Sequence, residues 1–153
     1  MEKPAQVYFE DVAEGMELPS KDKAPLTVTD LVRFAGASGD YALIHHDREY
    51  AKNVAGLPDI ILHGQGKIAL MSRIVTDWMG VRGQLRRLAA QYRGLDIVGD
   101  TVETSGKVVR KYTKDGENLI ELELQNQNER AGVTATGTAT VALPSRKRLR
   151  TRG

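Results

Sequence analysis

Gly64-Gln65-Gly66-Lys67-Ile68-Ala69-Leu70-Met71-Ser72-Arg73-Ile74-Val75-Thr76-Asp77-Trp78-Met79 sets Ile68, Met71, Ile74, Val75, Trp78 and Met79 on one side of a helix, with Ala69 and Leu70 widening the apolar arc. A surface helix shows a narrower stripe, so this one is expected to be wrapped by protein. Gly80 is placed to end it. Downstream the period changes to two. Leu119 to Gln125 alternates apolar and polar residues, as does Val133 to Val141, and both read as strands. Asp115-Gly116 between two such runs is a type I′ hairpin signal, and Asn128 to Gly132 is a looser turn. With Leu85 to Tyr92 and Thr101 to Tyr112 the order is helices first, then four antiparallel strands, an α+β arrangement.

Upstream of the helix, residues up to about 25 form an extended lead-in with one short strand, broken by Gly15, Pro19 and Pro25. Thr29 is the expected N-cap of a helix carrying Leu31, Phe34 and Ala35, with Asp30 at its positive end. Gly36 and Gly39 end it and deliver Asp40 to a loop. Asp47 caps a short helix through Glu49, Tyr50, Ala51 and Val54, stopped by Gly56-Leu57-Pro58-Asp59.

A chain of 153 residues, 41% hydrophobic, has the size of one domain with a sizeable core. It has no cysteine, so disulfides, thiolate metal sites and cysteine nucleophiles are excluded, and a reducing compartment, the cytoplasm, is expected. The N-terminal residues lack the apolar region of a signal peptide, and no apolar run approaches the ~20 residues of a membrane span. The formal charge of +2 misleads. Five of the 22 basic side chains lie in the last eight residues, leaving 17 basic against 20 acidic, or −3, in the body. The basic character belongs to a tail, residues 145–153, expected to be disordered. It has no interleaved aromatic residues, so nucleic-acid binding is not expected.

Gly39-Asp40-Tyr41-Ala42-Leu43-Ile44-His45-His46-Asp47, with His63-Gly64 sixteen residues on, has the makings of an active site. Asp40 and His45 can both exchange protons, and an imidazole near its ordinary pKa of ~6.5 is poised to do so at neutral pH. Gly64 offers an unhindered N–H where the long helix begins, with the positive helix end behind it. The residues do not divide the roles of acid and base between Asp40 and His45.

Ala37-Ser38-Gly39-Asp40 through His45, then Asp47, Tyr50, Ala51 and Leu62-His63-Gly64, resemble the MaoC-like dehydratase family, which includes the (R)-specific enoyl-CoA hydratases. The resemblance runs from Tyr8-Phe9-Glu10-Asp11 to Gly137-Thr138-Ala139-Thr140-Val141, with its specificity in residues 36–66. It implies a hot-dog fold over residues 1–144, an antiparallel sheet around a central helix. It also implies an Asp40–His45 dyad, the Gly64 N–H as oxyanion donor, and no metal or cofactor. The implied reaction is reversible hydration of a trans-2-enoyl thioester, on CoA or acyl carrier protein, to the (3R)-3-hydroxyacyl product. A homodimer or larger assembly is expected, or a heterodimer with a sister hot-dog subunit. Where the family pattern has Asn-Pro this chain has Ala42-Leu43, which bears on rate and substrate preference more than on reaction type.

Other readings compete at single residues. Tyr41, His46 and His63 are candidates for contacting substrate. Tyr41 reads equally as a packed tyrosine, and His46, Asp47 and His63 together also suit a metal ion, although no motif supports that. Arg86, Arg87 and Arg93 suit CoA phosphates or a solvated strand face. Two rival functions are a non-catalytic scaffold subunit, to which the lost Asn-Pro points and against which the retained Asp40, His45 and Gly64 argue, and a thioesterase. The latter is disfavoured because the only carboxylate on the long helix is Asp77, near its far end.

Overall fold

Residues 6–20 and 24–146 are described by the computed structural model. Helix α1 (Val28–Ser38) starts two residues earlier than expected, capped by Thr27. The Thr27 hydroxyl accepts the Asp30 N–H at 3.1 Å, and the Asp30 carboxylate accepts the Thr27 N–H at 2.9 Å. A carboxylate three residues beyond the cap makes this exchange available to Thr27, and Thr29 has no such partner. Gly39, at φ 74°, stops the helix in a conformation other residues rarely adopt. Asp47 does cap the next turn, its carboxylate accepting the Tyr50 N–H at 2.9 Å, but Tyr50–Val54 is wound as a π-helix.

Helix α2 (Gly64–Met79) ends at Gly80 as expected. Four strands follow: β1 (Gln84–Tyr92), β2 (Glu103–Lys114), β3 (Glu117–Asn128) and β4 (Gly132–Ala142). Asp115 and Gly116 both have positive φ, 52° and 79°, as a type I′ turn between β2 and β3 requires. The sheet is antiparallel in the order β1-β4-β3-β2, so β2, β3 and β4 form a meander and β1 returns beside β4. Register shifts at Leu85/Arg87, Val108/Arg110 and Asn126/Gln127 bend the strands and help curl the sheet over α2. The lead-in makes bridges at Glu17–Lys107 and Pro25–Thr101 in place of the expected short strand.

Met71, Ile74, Val75, Trp78 and Met79 of α2 pack against Val108, Ile120, Leu122, Leu124, Ala135, Ala139 and Val141 of the sheet. The helix comes close at Gly137, where a Cβ would lie 2.7 Å from the Met71 sulfur. Gln65, Ala69, Arg73 and Thr76 face solvent. The helix was expected to be wrapped by protein; the sheet covers one side of α2, and among the described residues those four on the other side stay exposed. A second cluster, Leu31, Ala51, Ile60 and Leu62, underlies the loop between α1 and α2. No described helix is long and apolar enough to cross a membrane. Of the expected tail, Ser145 and Arg146 are held against Glu10 and Asp11, Arg146 meeting Asp11 at 2.6 Å. Residues 147–153 lie outside the described residues.

Candidate active site

Asp40 follows directly on the Gly39 stop. One of its carboxylate oxygens accepts the Ala42 N–H at 3.2 Å, a local turn typical of aspartate, and the chain then winds through a 3₁₀ turn at Leu43–His45. The turn is fixed from outside, because the Ile61 N–H bonds to the Ile44 carbonyl at 3.1 Å. Ile61 also sets the His45 ring, whose Nδ1 lies 2.8 Å from the Ile61 carbonyl oxygen. A carbonyl only accepts, so Nδ1 carries a proton, and in the neutral form of the ring the lone pair is left at Nε2. That atom stands 3.9 Å from Asp40 Oδ2. The His45 side chain is 8% exposed and that of Asp40 41%, so the imidazole is buried and the carboxylate reaches solvent.

His63 lies under His45. The two rings stack with centroids 3.6 Å apart and planes 17° from parallel, and Phe34 closes the other side at 4.9 Å. His63 Nε2 donates to the Asp40 carbonyl at 3.1 Å, which leaves Nδ1 unprotonated and without a partner among the described residues. Burial pushes the His63 pKa below its usual 6.5; the bond to Asp40 opposes this, and the adjacent His45 adds to it. His63 is therefore harder to protonate in the folded protein than in the unfolded chain. The unfolded chain takes up its proton first as pH falls, so the stability His63 contributes is complete above about 6.5 and declines as the solution is acidified below that value. The expected result is a Tm that falls between pH 7.5 and 5.5, with a shallower slope in His63→Phe, measured by thermal denaturation across that range. An unchanged slope in the variant would sink the assignment.

Asp40, His45 and His63 have potential ligand atoms within 4.8 Å of one another. A metal ion needs each imidazole lone pair to point at it from about 2.0–2.1 Å within the ring plane. Near-parallel stacked rings direct those lone pairs side by side, so this trio does not form a coordination site as arranged. The other trio weighed is also engaged elsewhere. His46 Nε2 meets the Tyr41 carbonyl at 3.1 Å, and Asp47 caps Tyr50.

Gly64 is the first residue of α2, and His63, its N-cap, makes no side-chain cap bond. The Gly64 N–H meets no acceptor among the described residues, as expected of a first-turn donor. Tyr92, from edge strand β1, lies over it, 3.1 Å from where a Gly64 Cβ would stand. Residues 60–62 hold this turn in place by pairing with residues 96–98.

Of the remaining candidates, Tyr41 is 64% exposed, and with Leu43 and Tyr92 it leaves apolar surface beside the dyad and the amide. His46 lines a separate depression of about 420 Å³ with Val28, Asp47, Arg48, Glu49 and Ile60. A larger groove of about 1150 Å³ runs along the strands and includes Arg87. Neither is lined by Asp40, His45 or Gly64. Arg86 pairs with Glu117, and Arg93 bonds to Gln91 at 2.8 Å. Tyr92 was not foreseen: its place over Gly64 depends on how β1 meets α2, which alternation along one strand does not encode.

A curled antiparallel sheet laid over one long helix makes this a hot-dog protein. A family model described as "MaoC like domain" matches residues 11–130, and the chain belongs to that family. A chain of the ChsH1-ChsH2 complex from Mycobacterium tuberculosis is 28% identical, with TM-score 0.75 over 86% of this chain and 98% of that one. The R-hydratase PhaJ1 from Pseudomonas aeruginosa is 21% identical, with TM-score 0.80 over 92% of this chain and 87% of that one. The (R)-hydratase from A. caviae, involved in PHA biosynthesis, is 20% identical, with TM-score 0.77 over 88% and 99%. No curated protein sequence matches the chain.

Proposed function

We propose that the protein is an enzyme that reversibly hydrates a trans-2-enoyl thioester, on CoA or acyl carrier protein, to the (3R)-3-hydroxyacyl thioester. The observation that carries this reading is the gap between two acceptors, Asp40 Oδ2 and His45 Nε2, at 3.9 Å. With the imidazole in its neutral form, a carboxylate and a bare ring nitrogen cannot bond to each other. A water about 2.8 Å from each would see them at an angle of roughly 90°, close to the spread of its own two O–H bonds. It would give one hydrogen to each acceptor and turn a lone pair towards a substrate.

From there the chemistry balances without an added reagent. One acceptor takes a proton as the water oxygen bonds to C3, the double-bond electrons pass to the thioester oxygen, and the proton returns to C2 as the enolate collapses. The Gly64 N–H, with the positive end of α2 behind it, is the donor that meets the enolate oxygen. Tyr41, Leu43 and Tyr92 offer apolar surface to an acyl chain or to a second subunit closing over it; of the expected substrate contacts Tyr41 is kept, whereas His63 is fully buried beneath His45 and His46 lines a separate depression. The absence of cysteine supports work in the cytoplasm.

The relative from a two-protein complex favours one second reading, in which this chain is a scaffold subunit that works only with a sister chain. A thioesterase is less well supported, because Asp77 lies at the far end of α2, within 3.7 Å of Arg73. One assay separates them: purified protein with crotonyl-CoA and a longer enoyl-CoA, following conjugated-thioester absorbance and free thiol independently. Loss of conjugation without thiol is the expected result. Thiol release would mean hydrolysis, and silence until a sister hot-dog chain is added would mean the scaffold role.

A further inference from the structure

Beneath the first turn of α2 lies a cluster of charged and polar side chains that the proposed chemistry does not use. Lys67 is 3% exposed and Asp96 0%, and Lys67 Nζ meets Asp96 Oδ2 at 2.9 Å. The ammonium also donates to the Gly94 carbonyl and, at 3.5 Å, to that of Thr134. Asp96 is saturated in turn, its Oδ1 accepting Asn128 Nδ2 at 2.7 Å and its Oδ2 the Thr134 hydroxyl at 2.8 Å. Buried Asn126 donates to the Lys67 carbonyl at 3.0 Å while accepting from the Thr104 hydroxyl at 2.9 Å. A buried ion pair seldom adds net stability over an apolar replacement, so its presence asks for another account.

Its position supplies one. Asp96 holds the chain on both sides of Gly64. Its main-chain carbonyl accepts the Leu62 N–H at 2.8 Å, two residues before Gly64, and its carboxylate grips Lys67, three residues after. The backbone from 62 to 67 is thereby suspended between two bonds to one residue, and the Gly64 N–H lies in that span. We infer that Lys67 and Asp96 are positioning residues that fix the direction of the Gly64 N–H, so that it meets the oxyanion without reorganising. A misplacement of about 1 Å in such a group can cost on the order of a hundredfold in rate, which makes a polar clamp worth keeping where an oily contact would slide. This inference rests on the hydratase reading for its rate effect but not for its geometric one.

The test uses Lys67→Met/Asp96→Asn, which removes both charges together and leaves an amide to meet Asn128 and Thr134. Thr134→Val, which deletes the hydroxyl that donates to Asp96 at 2.8 Å and lies 3.4 Å from the Asn126 carbonyl, serves if the double variant does not fold. Two readouts are taken on the full-length protein: kcat and KM for crotonyl-CoA, and hydrogen exchange of the Gly64 amide followed by NMR. Expected are a kcat lower by at least about tenfold in the double variant and a few-fold in Thr134→Val, KM within about twofold, and faster Gly64 exchange. A folded variant with wild-type kcat and unchanged Gly64 exchange overturns the inference. If the wild type hydrates nothing, the proposed function fails by itself and exchange alone decides: faster upholds the clamp, unchanged refutes it.

Discussion

Asp40→Asn is expected to lower enoyl-thioester hydration by at least about a hundredfold, the scale of a general acid–base group, with the fold preserved. The amide keeps one acceptor oxygen for the Ala42 N–H and for water, but it cannot take a proton at neutral pH. His45→Ala is expected to cost at least as much in turnover and something in stability too, because it strips the Ile61 carbonyl of its donor and His63 of its stacking partner. If both groups hold one water, as proposed, the double variant should be little slower than the worse single one. Loss of conjugated-thioester absorbance under saturating crotonyl-CoA measures all three. Near-normal turnover in either single variant would refute the dyad.

Gly64→Pro should be nearly as damaging for a different reason. Proline suits the first position of a helix, where its missing N–H breaks no intrahelical bond. The preceding His63, at φ −54° and ψ 141°, already has the extended geometry that a proline demands of its neighbour. The substitution therefore deletes one donor and little else, and loss of an oxyanion donor typically lowers kcat about 10²- to 10³-fold. The added ring atoms crowd Tyr92, which is 53% exposed and has room to swing. Gly64→Ala is the control: its Cβ meets the same ring but its N–H survives, so a loss of no more than a few-fold is expected. Equal losses in the two variants would show that crowding, not the donor, sets the rate.

The helices and strands were legible where one periodicity ran long enough to exclude the other. Helix α2 and its Gly80 stop, the Asp115-Gly116 hairpin and the alternating runs of β3 and β4 all lie where hydrophobic spacing and turn chemistry put them. The start of α1 was misplaced because two threonines compete, although Asp30 three residues after Thr27 was the available clue. The position of β1 beside β4 was not legible: alternation identifies the face a strand buries, not its neighbour. Asp40, His45 and Gly64 stood out by chemistry and order, and the structure brings the first two within 3.9 Å. That His63 lies flat beneath His45 follows from how residues 60–62 are pinned, which no local pattern records. The buried lysine did leave a trace, since Lys67, Met71, Ile74 and Trp78 share one helical face; a cation there demanded an anion from elsewhere in the chain.

The order β1-β4-β3-β2 also governs how the molecule is built up from a disordered chain. The β2-β3 and β3-β4 hairpins close short loops, so their ladders form at small entropic cost. Strand β1 must find a partner beginning forty residues beyond its own end, and it brings α2 with it. Loop-closure entropy thus falls most heavily on the pairing that brings Tyr92 over Gly64, so the costliest closure of assembly lies at the end of α2 proposed to meet the oxyanion.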